Sequence, residues 1–325
     1  MNESEPIRPA GHKPMRLRTE SAKESFLRRM RRQRLKYITI LPSLVTIING
    51  ACGFAAITFA SQIGQFSYHR LTLPYFALSG YMILFAMIAD MLDGRLARMS
   101  QSTSSFGGQL DSLCDIISFG VAPAFLMLKV IENKLGPLPD NGAPGVIISF
   151  IERFIWLAAA AYITCAAIRL ARFNVENEED ESAHMNFVGL PSPAAAGVIV
   201  SLVIFHEETV PDILKHPGRD WSTGGFVNFM LDDLLLYTLP VIALGLAILM
   251  VSRIRYAHVI NQYIRGKKPF AHLIRALLFF GLVIWSRQFA FVLIFCGFAL
   301  SGFTRWLYFG IFSRTEALPA ATMLE

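Results

Sequence analysis

Four aspartates lie close together in an otherwise apolar stretch of the sequence, and their spacing divides them into two pairs. Asp90 and Asp93 are three positions apart, and Asp111 and Asp115 are four positions apart. On a helix, residues at these spacings share a face. Since the stretch between the pairs is short, the two helices are expected to form an antiparallel hairpin that brings the four carboxylates together. Such carboxylates repel one another unless a cation binds, and hard divalent ions such as Mg²⁺ or Mn²⁺ prefer oxygen ligands.

The residues around these acids suit a ligand that carries phosphate. Gly94 and Ala97 share the acidic face, and their small size lets a ligand approach the backbone. Arg98 adds a planar set of donors that matches phosphate oxygens. Gly107 and Gly108 open the second helix, where a close approach would also require a missing side chain. A helix cap or a solvated charge would explain a single aspartate, but it explains four on matched faces poorly.

The elements that must position these residues are membrane-spanning helices. Apolar residues make up 54% of the 325-residue chain and charged residues only 17%, whereas soluble domains contain about 25% charged residues. A transmembrane helix needs about 20 apolar residues. The expected spans lie within 37–69, 71–89, 108–130, 147–170, 187–205 and 234–252, with two more within 276–312. We therefore expect an all-α polytopic membrane bundle of about eight transmembrane helices.

The charge distribution predicts the orientation of this bundle. Residues 1–36 contain 11 Lys and Arg against 4 Asp and Glu. This basic arm directly precedes the first apolar run, so the positive-inside rule explains it better than nucleic-acid binding does. With a cytoplasmic N-terminus, the loop 253–275 and its six cations also lie inside. The sequence thus predicts a multi-pass protein of the cell membrane, with the acidic group at the cytoplasmic boundary.

Residues 90–115 match a family signature, D-x2-D-G-x2-A-R-x8-G-x3-D-x3-D. All eight fixed positions of this pattern resemble the motif of the CDP-alcohol phosphotransferases. The resemblance covers residues 37–253 and implies a six-helix core with a cytoplasm-facing dimetal site, which acts on a CDP-linked lipid, usually as a homodimer. It leaves 1–36 as the basic arm and 254–325 as a cytoplasmic loop, two additional helices and a tail.

The resemblance also implies roles for individual residues. Asp90, Asp93, Asp111 and, at least partly, Asp115 would bind divalent metal, and Asp115 would also be the general base. The residues expected to bind the CDP-linked lipid are Asn49, Gly94, Ala97, Arg98, Ser104 and Gly107.

Two further stretches are similar to the phosphatidylserine synthase subgroup of this family: 111–123, and 169–174 followed by 187–197. Serine carries a carboxylate, so its site needs a cation. Arg169 and Arg172, one turn apart at the cytoplasmic end of the fourth span, are therefore expected to bind serine together with Asn174. The expected reaction joins CDP-diacylglycerol and L-serine to give phosphatidylserine and CMP. The two arginines could instead extend to lipid headgroups as topogenic charges.

The sequence excludes one alternative and leaves two others open. A phospholipase D-type synthase would need H-x-K motifs, and none of the seven histidines has a lysine two positions later. Another acceptor, glycerol 3-phosphate or an inositol phosphate, would call for more cations. Intramembrane acids also mark ion-coupled transporters. Transporter sites, however, usually lie near the midplane in repeated halves, whereas these acids occur once and at one boundary.

Overall fold

A computed structural model describes residues 43–68, 71–100, 105–135, 145–179, 187–214, 234–256 and 286–312 of the chain. The predictions for the basic arm 1–36, for Ser104 and for the segment 276–285 fall outside the described residues. The same holds for the side chains of Ala97 and Arg98, although their backbone is helical.

The described part of the chain is almost entirely helical, which confirms the all-α membrane class. The helices are α1 (Ser43–Ala60), α2 (Tyr75–Ser100), α3 (Ser105–Asp115), α4 (Ala122–Leu135), α5 (Gly145–Glu179), α6 (Ser192–Leu214), α7 (Leu235–Val251) and α8 (Arg287–Phe312). A π-helical segment, Ile116–Val121, joins α3 to α4. Four short strands form two antiparallel pairs, β1 (Gln65–Tyr68) with β2 (Leu71–Pro74) and β3 (Phe187–Val188) with β4 (Arg255–Tyr256).

Five of the helical stretches are long and apolar enough to cross a membrane. They are Ser43–Ala60, Tyr75–Leu96, Phe106–Lys134, Phe150–Val175 and Arg287–Thr304, and Leu235–Val251 is a shorter apolar helix. Each of the first six expected spans overlaps at least one described helix, and α8 occupies the end of the region 276–312. The total of about eight spans stays a prediction, because part of that last region is not described.

Two of the expected span boundaries are wrong. The second span was expected from residue 71, but 71–74 pairs as β2 and the helix begins at Tyr75. The fifth was expected from residue 187, but Phe187 and Val188 pair with β4, and the helix begins at Ser192. In both places the short apolar run forms strand pairs before the helix starts, and an apolar run alone does not distinguish these structures.

Small residues allow the helices to pack closely, as is common in membrane bundles. A Cβ atom added to Gly80 of α2 would lie 2.8 Å from the Ile204 side chain of α6. Gly197 of α6 similarly faces the ring of Phe295 in α8. The last described helix is therefore packed into the bundle, since its aromatic ring fills a space that a larger residue on α6 would occupy.

A polar network fastens α8 to the bundle near the start of that helix. The Glu208 side chain, 7% exposed, accepts hydrogen bonds on both of its oxygens. Tyr81 Oη donates to Glu208 Oε1 at 2.8 Å, while Arg287 Nη2 and Gln288 Nε2 donate to Oε2 at 3.1 and 2.6 Å. One carboxylate thus joins α2, α6 and α8. This network lies away from the aspartates, since Tyr81 is more than two turns before Asp90 on α2 and Glu208 is more than four turns after Ser192 on α6.

Candidate active site

Three of the four aspartates converge. Asp90 and Asp93 on α2 and Asp111 on α3 each offer a carboxylate oxygen, and these oxygens lie within 4.8 Å of one another. Asp93 Oδ2 and Asp111 Oδ1 are buried and have no hydrogen-bond partner among the described residues. A buried carboxylate oxygen without a partner is costly. The group therefore fits a hard divalent cation, whose preferred ligands are carboxylate oxygens.

Asp115 has different surroundings from the other three aspartates. It lies one turn beyond Asp111 on α3, where it interacts electrostatically with Asp90 and Asp111, but its oxygens are not part of the group of three. Its buried carboxylate accepts a hydrogen bond from Asn49 Nδ2 at 2.9 Å. Asn49 is fully buried in α1, and its Oδ1 has no hydrogen-bond partner within the described part of the chain. The structure thus places Asn49 against Asp115, and its expected contact with the lipid substrate stays a prediction.

α1 completes the inner wall of the site by close packing. A Cβ atom on Gly53 would lie 2.5 Å from Ser118 Oγ and 2.8 Å from Ser118 Cα. This closeness lets Ser118 Oγ donate to the Asn49 carbonyl oxygen at 2.9 Å. One turn earlier in α1, the hydroxyl of the buried Thr46 hydrogen-bonds to Asp93. Sequence reasoning missed Thr46 and Ser118, yet the spacing of Thr46, Asn49 and Gly53 along one helix face was a usable signal.

The helix that carries two of the aspartates changes its geometry directly after Asp115. Residues Ile116–Val121 are π-helical, a conformation that is rare and frequent at functional sites. Tyr162 of α5, fully buried, donates from its hydroxyl to the Phe119 carbonyl oxygen at 3.1 Å. The hydrogen bond gives a partner to a carbonyl within the irregular segment. The π-helical conformation of Ile116–Val121 was not predicted from the sequence.

The three residues expected to bind serine lie near the end of α5. Arg169 interacts electrostatically with Asp90 and Asp115, so it lies on the side of the acidic group. Asn174 Nδ2 donates to Ser112 Oγ at 2.8 Å, next to Asp111 in sequence. Arg172 is half-buried between these two positions. The end of α5 therefore places at least one guanidinium beside the aspartates.

Arg169 also forms a hydrogen bond with α6. Its Nη1 donates to the Oγ of the fully buried Ser192 at 2.6 Å, while its Nε is buried without a hydrogen-bond partner among the described residues. Ser192 was not among the expected site residues.

The space beside two of the glycines is open. A Cβ atom on Gly94 or on Gly108 would meet no atom of the described residues within 4 Å. Gly94 directly follows Asp93 and is exposed, and Gly107 is half-buried at the start of α3. Packing within the chain does not require the glycine at position 94. The open space adjoins the acidic group, where a ligand would have room.

Comparison with known proteins gives matches over most of the chain. A family model described as CDP-alcohol phosphatidyltransferase matches residues 39–239. The chain is 29% identical over 271 residues, 83% of its length, to the CDP-diacylglycerol–serine O-phosphatidyltransferase of Helicobacter pylori, of which it covers 92%. It is 30% identical over 195 residues to a Mycobacterium tuberculosis protein of the same name, covering 59% of this chain and 56% of that protein. A third, from Methanocaldococcus jannaschii, is 35% identical over 119 residues, 37% of this chain and 47% of the relative.

Proposed function

The chain belongs to the CDP-alcohol phosphatidyltransferase family, and we propose that it is a phosphatidylserine synthase. In the proposed reaction it transfers the phosphatidyl group of CDP-diacylglycerol to the hydroxyl of L-serine and releases CMP. The observation that carries this proposal is the convergence of Asp90, Asp93 and Asp111 beside Arg169. The match to a relative of this named activity, over 83% of the chain, gives independent support.

The proposal includes two divalent metal ions per site, either Mg²⁺ or Mn²⁺. Asp90, Asp93 and Asp111 would hold it, with Asp115 contributing at one edge. The two partnerless buried oxygens, Asp93 Oδ2 and Asp111 Oδ1, support this assignment. When bound, divalent metal would neutralise the phosphates and provide a template for in-line displacement.

The chemical step needs a group that takes the proton from the serine hydroxyl. We assign it to Asp115, because this carboxylate lies at the edge of the acidic group and is held by Asn49. As the proton moves to Asp115, the serine oxygen bonds to the phosphorus that carries diacylglycerol. The bond from that phosphorus to the oxygen bridging to CMP breaks, and CMP leaves with the electron pair. Positioning of the two substrates supplies much of the remaining rate enhancement.

The acceptor is assigned from the cation beside the acids. The carboxylate of serine would otherwise be repelled by the aspartates, and Arg169 offers a compensating charge at that place. Arg172 and Asn174, further along α5, would complete the serine site. The residues proposed to bind the CDP-linked lipid are Asn49, Gly94, Ala97, Arg98, Ser104 and Gly107. The open space beside Gly94 supports this assignment.

The setting of the enzyme belongs to the same proposal. The chain is a multi-pass membrane protein, as its apolar helices indicate. We place it in the cell membrane as a homodimer, with the N-terminus and the acidic group on the cytoplasmic side. The basic arm 1–36 and the cations of 253–275 support this orientation.

The test is a substrate panel with purified protein. CDP-diacylglycerol and Mg²⁺ or Mn²⁺ are incubated with L-serine, glycerol 3-phosphate, an inositol phosphate or ethanolamine, and CMP and the lipid product are measured. Of the four acceptors, only serine should give rapid CMP release, with phosphatidylserine as the lipid product. An Asp90→Asn variant should release CMP far more slowly at the same metal concentration, while Glu132→Gln, at an exposed carboxylate paired with Lys129, should keep full activity. Rapid release with another acceptor and none with serine would reassign the acceptor, and no release with any would remove the transferase proposal.

A further inference from the structure

Ser192 stands at a junction between the acidic site and the rest of the bundle. It is the first residue of α6, fully buried, and lies between Pro191 and Pro193. Its Oγ accepts the hydrogen bond from Arg169 Nη1 at 2.6 Å. Because proline fixes its own φ angle, the two flanking residues limit the backbone freedom of Ser192. The partner of the Arg169 guanidinium is therefore a side chain with little freedom to move.

The residues before Ser192 fix it further. Gly189 N–H donates to the Ile254 carbonyl oxygen at 2.9 Å, and Leu190 N–H donates to that of Leu249 at 3.0 Å. Gly189 has a φ of +85°, a conformation that favours glycine, and an added Cβ would collide with the Met250 carbonyl. The segment 187–190 is thus bound by its backbone to α7 and the residues that follow it. Ser192 takes its position from this attachment.

The guanidinium that Ser192 contacts is subject to competing attractions. Asp90 and Asp115 both interact electrostatically with Arg169. An arginine side chain has several rotatable bonds, so without another contact it would turn toward whichever carboxylate is nearest. A hydroxyl is a neutral acceptor, which can occupy one N–H group without neutralising the positive charge. The contact with Ser192 therefore keeps a charged edge of the guanidinium available.

We propose that Ser192 is a positioning residue that holds the Arg169 guanidinium in the orientation that binds the carboxylate of the serine substrate. This inference rests on the proposed function. Ser192 itself does not contact either substrate in this arrangement, and its effect passes through Arg169. Its loss should therefore weaken serine binding selectively, because CDP-diacylglycerol does not depend on that guanidinium.

The experiment compares steady-state kinetics of the full chain in detergent or in vesicles. Ser192→Ala should raise the KM for serine about tenfold, the lower range expected for losing a hydrogen bond to a charged group. The KM for CDP-diacylglycerol should stay within about twofold of the wild-type value. Ser201→Ala is the matched control, since Ser201 is equally buried in α6 but donates to the Val198 carbonyl oxygen of its own helix. This control should leave both KM values unchanged.

A double-mutant cycle with Arg169→Lys shows whether the effect passes through Arg169. Ser192→Ala should add less than about twofold to the serine KM in the Arg169→Lys background, because residues that act as a unit are not additive. If Ser192→Ala does not accumulate in the membrane, Ser192→Cys keeps the size with a weak acceptor and is measured in the same way.

Three results would overturn the inference. They are an unchanged serine KM in the Ser192 variants, an equal rise in the KM of both substrates, and a full additive effect in the Arg169→Lys background. A wild-type protein that makes no phosphatidylserine would instead contradict the proposed function, so the two failures are distinguishable.

Discussion

Replacing Asp115 by asparagine separates proton acceptance from the structure of the site. Asp115 Oδ1 accepts a hydrogen bond from Asn49 Nδ2 at 2.9 Å. The amide oxygen of an asparagine at position 115 can accept the same bond, so the packing between α1 and α3 should persist. The variant loses the negative charge and the capacity to take a proton. We therefore expect a well-folded protein with a specific defect in the chemical step.

The size of this defect follows from the assigned role. General-base catalysis contributes roughly 10²–10⁴-fold, which corresponds to about 3–5 kcal/mol of activation free energy. The turnover of Asp115→Asn should fall by this factor in a CMP-release assay with saturating CDP-diacylglycerol, serine and Mg²⁺. The KM for CDP-diacylglycerol should change far less, because the other three aspartates remain.

A comparison with Asp90→Asn distinguishes a base from a metal ligand. Asp90 belongs to the converging group, so its substitution should raise the Mg²⁺ concentration needed for half-maximal activity. Asp115→Asn should raise that concentration much less, because Asp115 contributes only at one edge of the group. Turnover of Asp115→Asn within tenfold of wild type at saturating metal would refute the base assignment. A metal requirement shifted as strongly as in Asp90→Asn would make Asp115 a ligand instead.

Three further predictions concern the metal, the packing of α1 against the site at Gly53, and the network around Glu208. Chelation with EDTA should abolish CMP release and Mg²⁺ or Mn²⁺ should restore it; full activity after exhaustive chelation would contradict a metal site at the aspartates. Gly53→Ala should lower turnover, and it should lower the free energy of unfolding by about 1–3 kcal/mol through overpacking, because its Cβ would lie 2.5 Å from Ser118 Oγ. The control Gly245→Ala should change neither measurement, since its Cβ would meet no atom of the described residues within 4 Å. Glu208→Ala should lower the melting temperature in detergent, at a cost of about 1–3 kcal/mol for the donors left without an acceptor, while the KM for serine stays at the wild-type value; an unchanged melting temperature would show that the network does not fasten α8.

The features that could be predicted from the sequence are those that depend on neighbouring residues. The spacing of Asp90 and Asp93 places both on one face of the first helix, and the short connection to the next helix leaves few positions for Asp111. Their convergence within 4.8 Å follows from this local information. The spans were found for a related reason, since a run of apolar residues is sufficient to predict a membrane helix.

The features that could not be predicted depend on which distant segments pack together. Asn49 and Asp115 are 66 positions apart, and Arg169 and Ser192 are 23 positions apart on different helices. Neither contact follows from the spacing of residues along one element. The π-helical segment after Asp115 also depends on its surroundings, including the hydroxyl of Tyr162. The sequence showed Asn49 on the first helix but not its partner Asp115, and the expected contact of Asn49 with the lipid substrate stays a prediction.

The four aspartates illustrate how neighbours give identical side chains different roles. By spacing alone, Asp115 is as good a metal ligand as Asp111, and only the family resemblance separates the two. In the structure, Asp111 Oδ1 is buried without a hydrogen-bond partner among the described residues, so a cation is the group that would satisfy it. Asp115 already has a donor in Asn49, a neutral group that orients the carboxylate without supplying a positive charge. A carboxylate that is held in place but not neutralised can still accept a proton, which is why the base is assigned to Asp115 and the metal mainly to the other three.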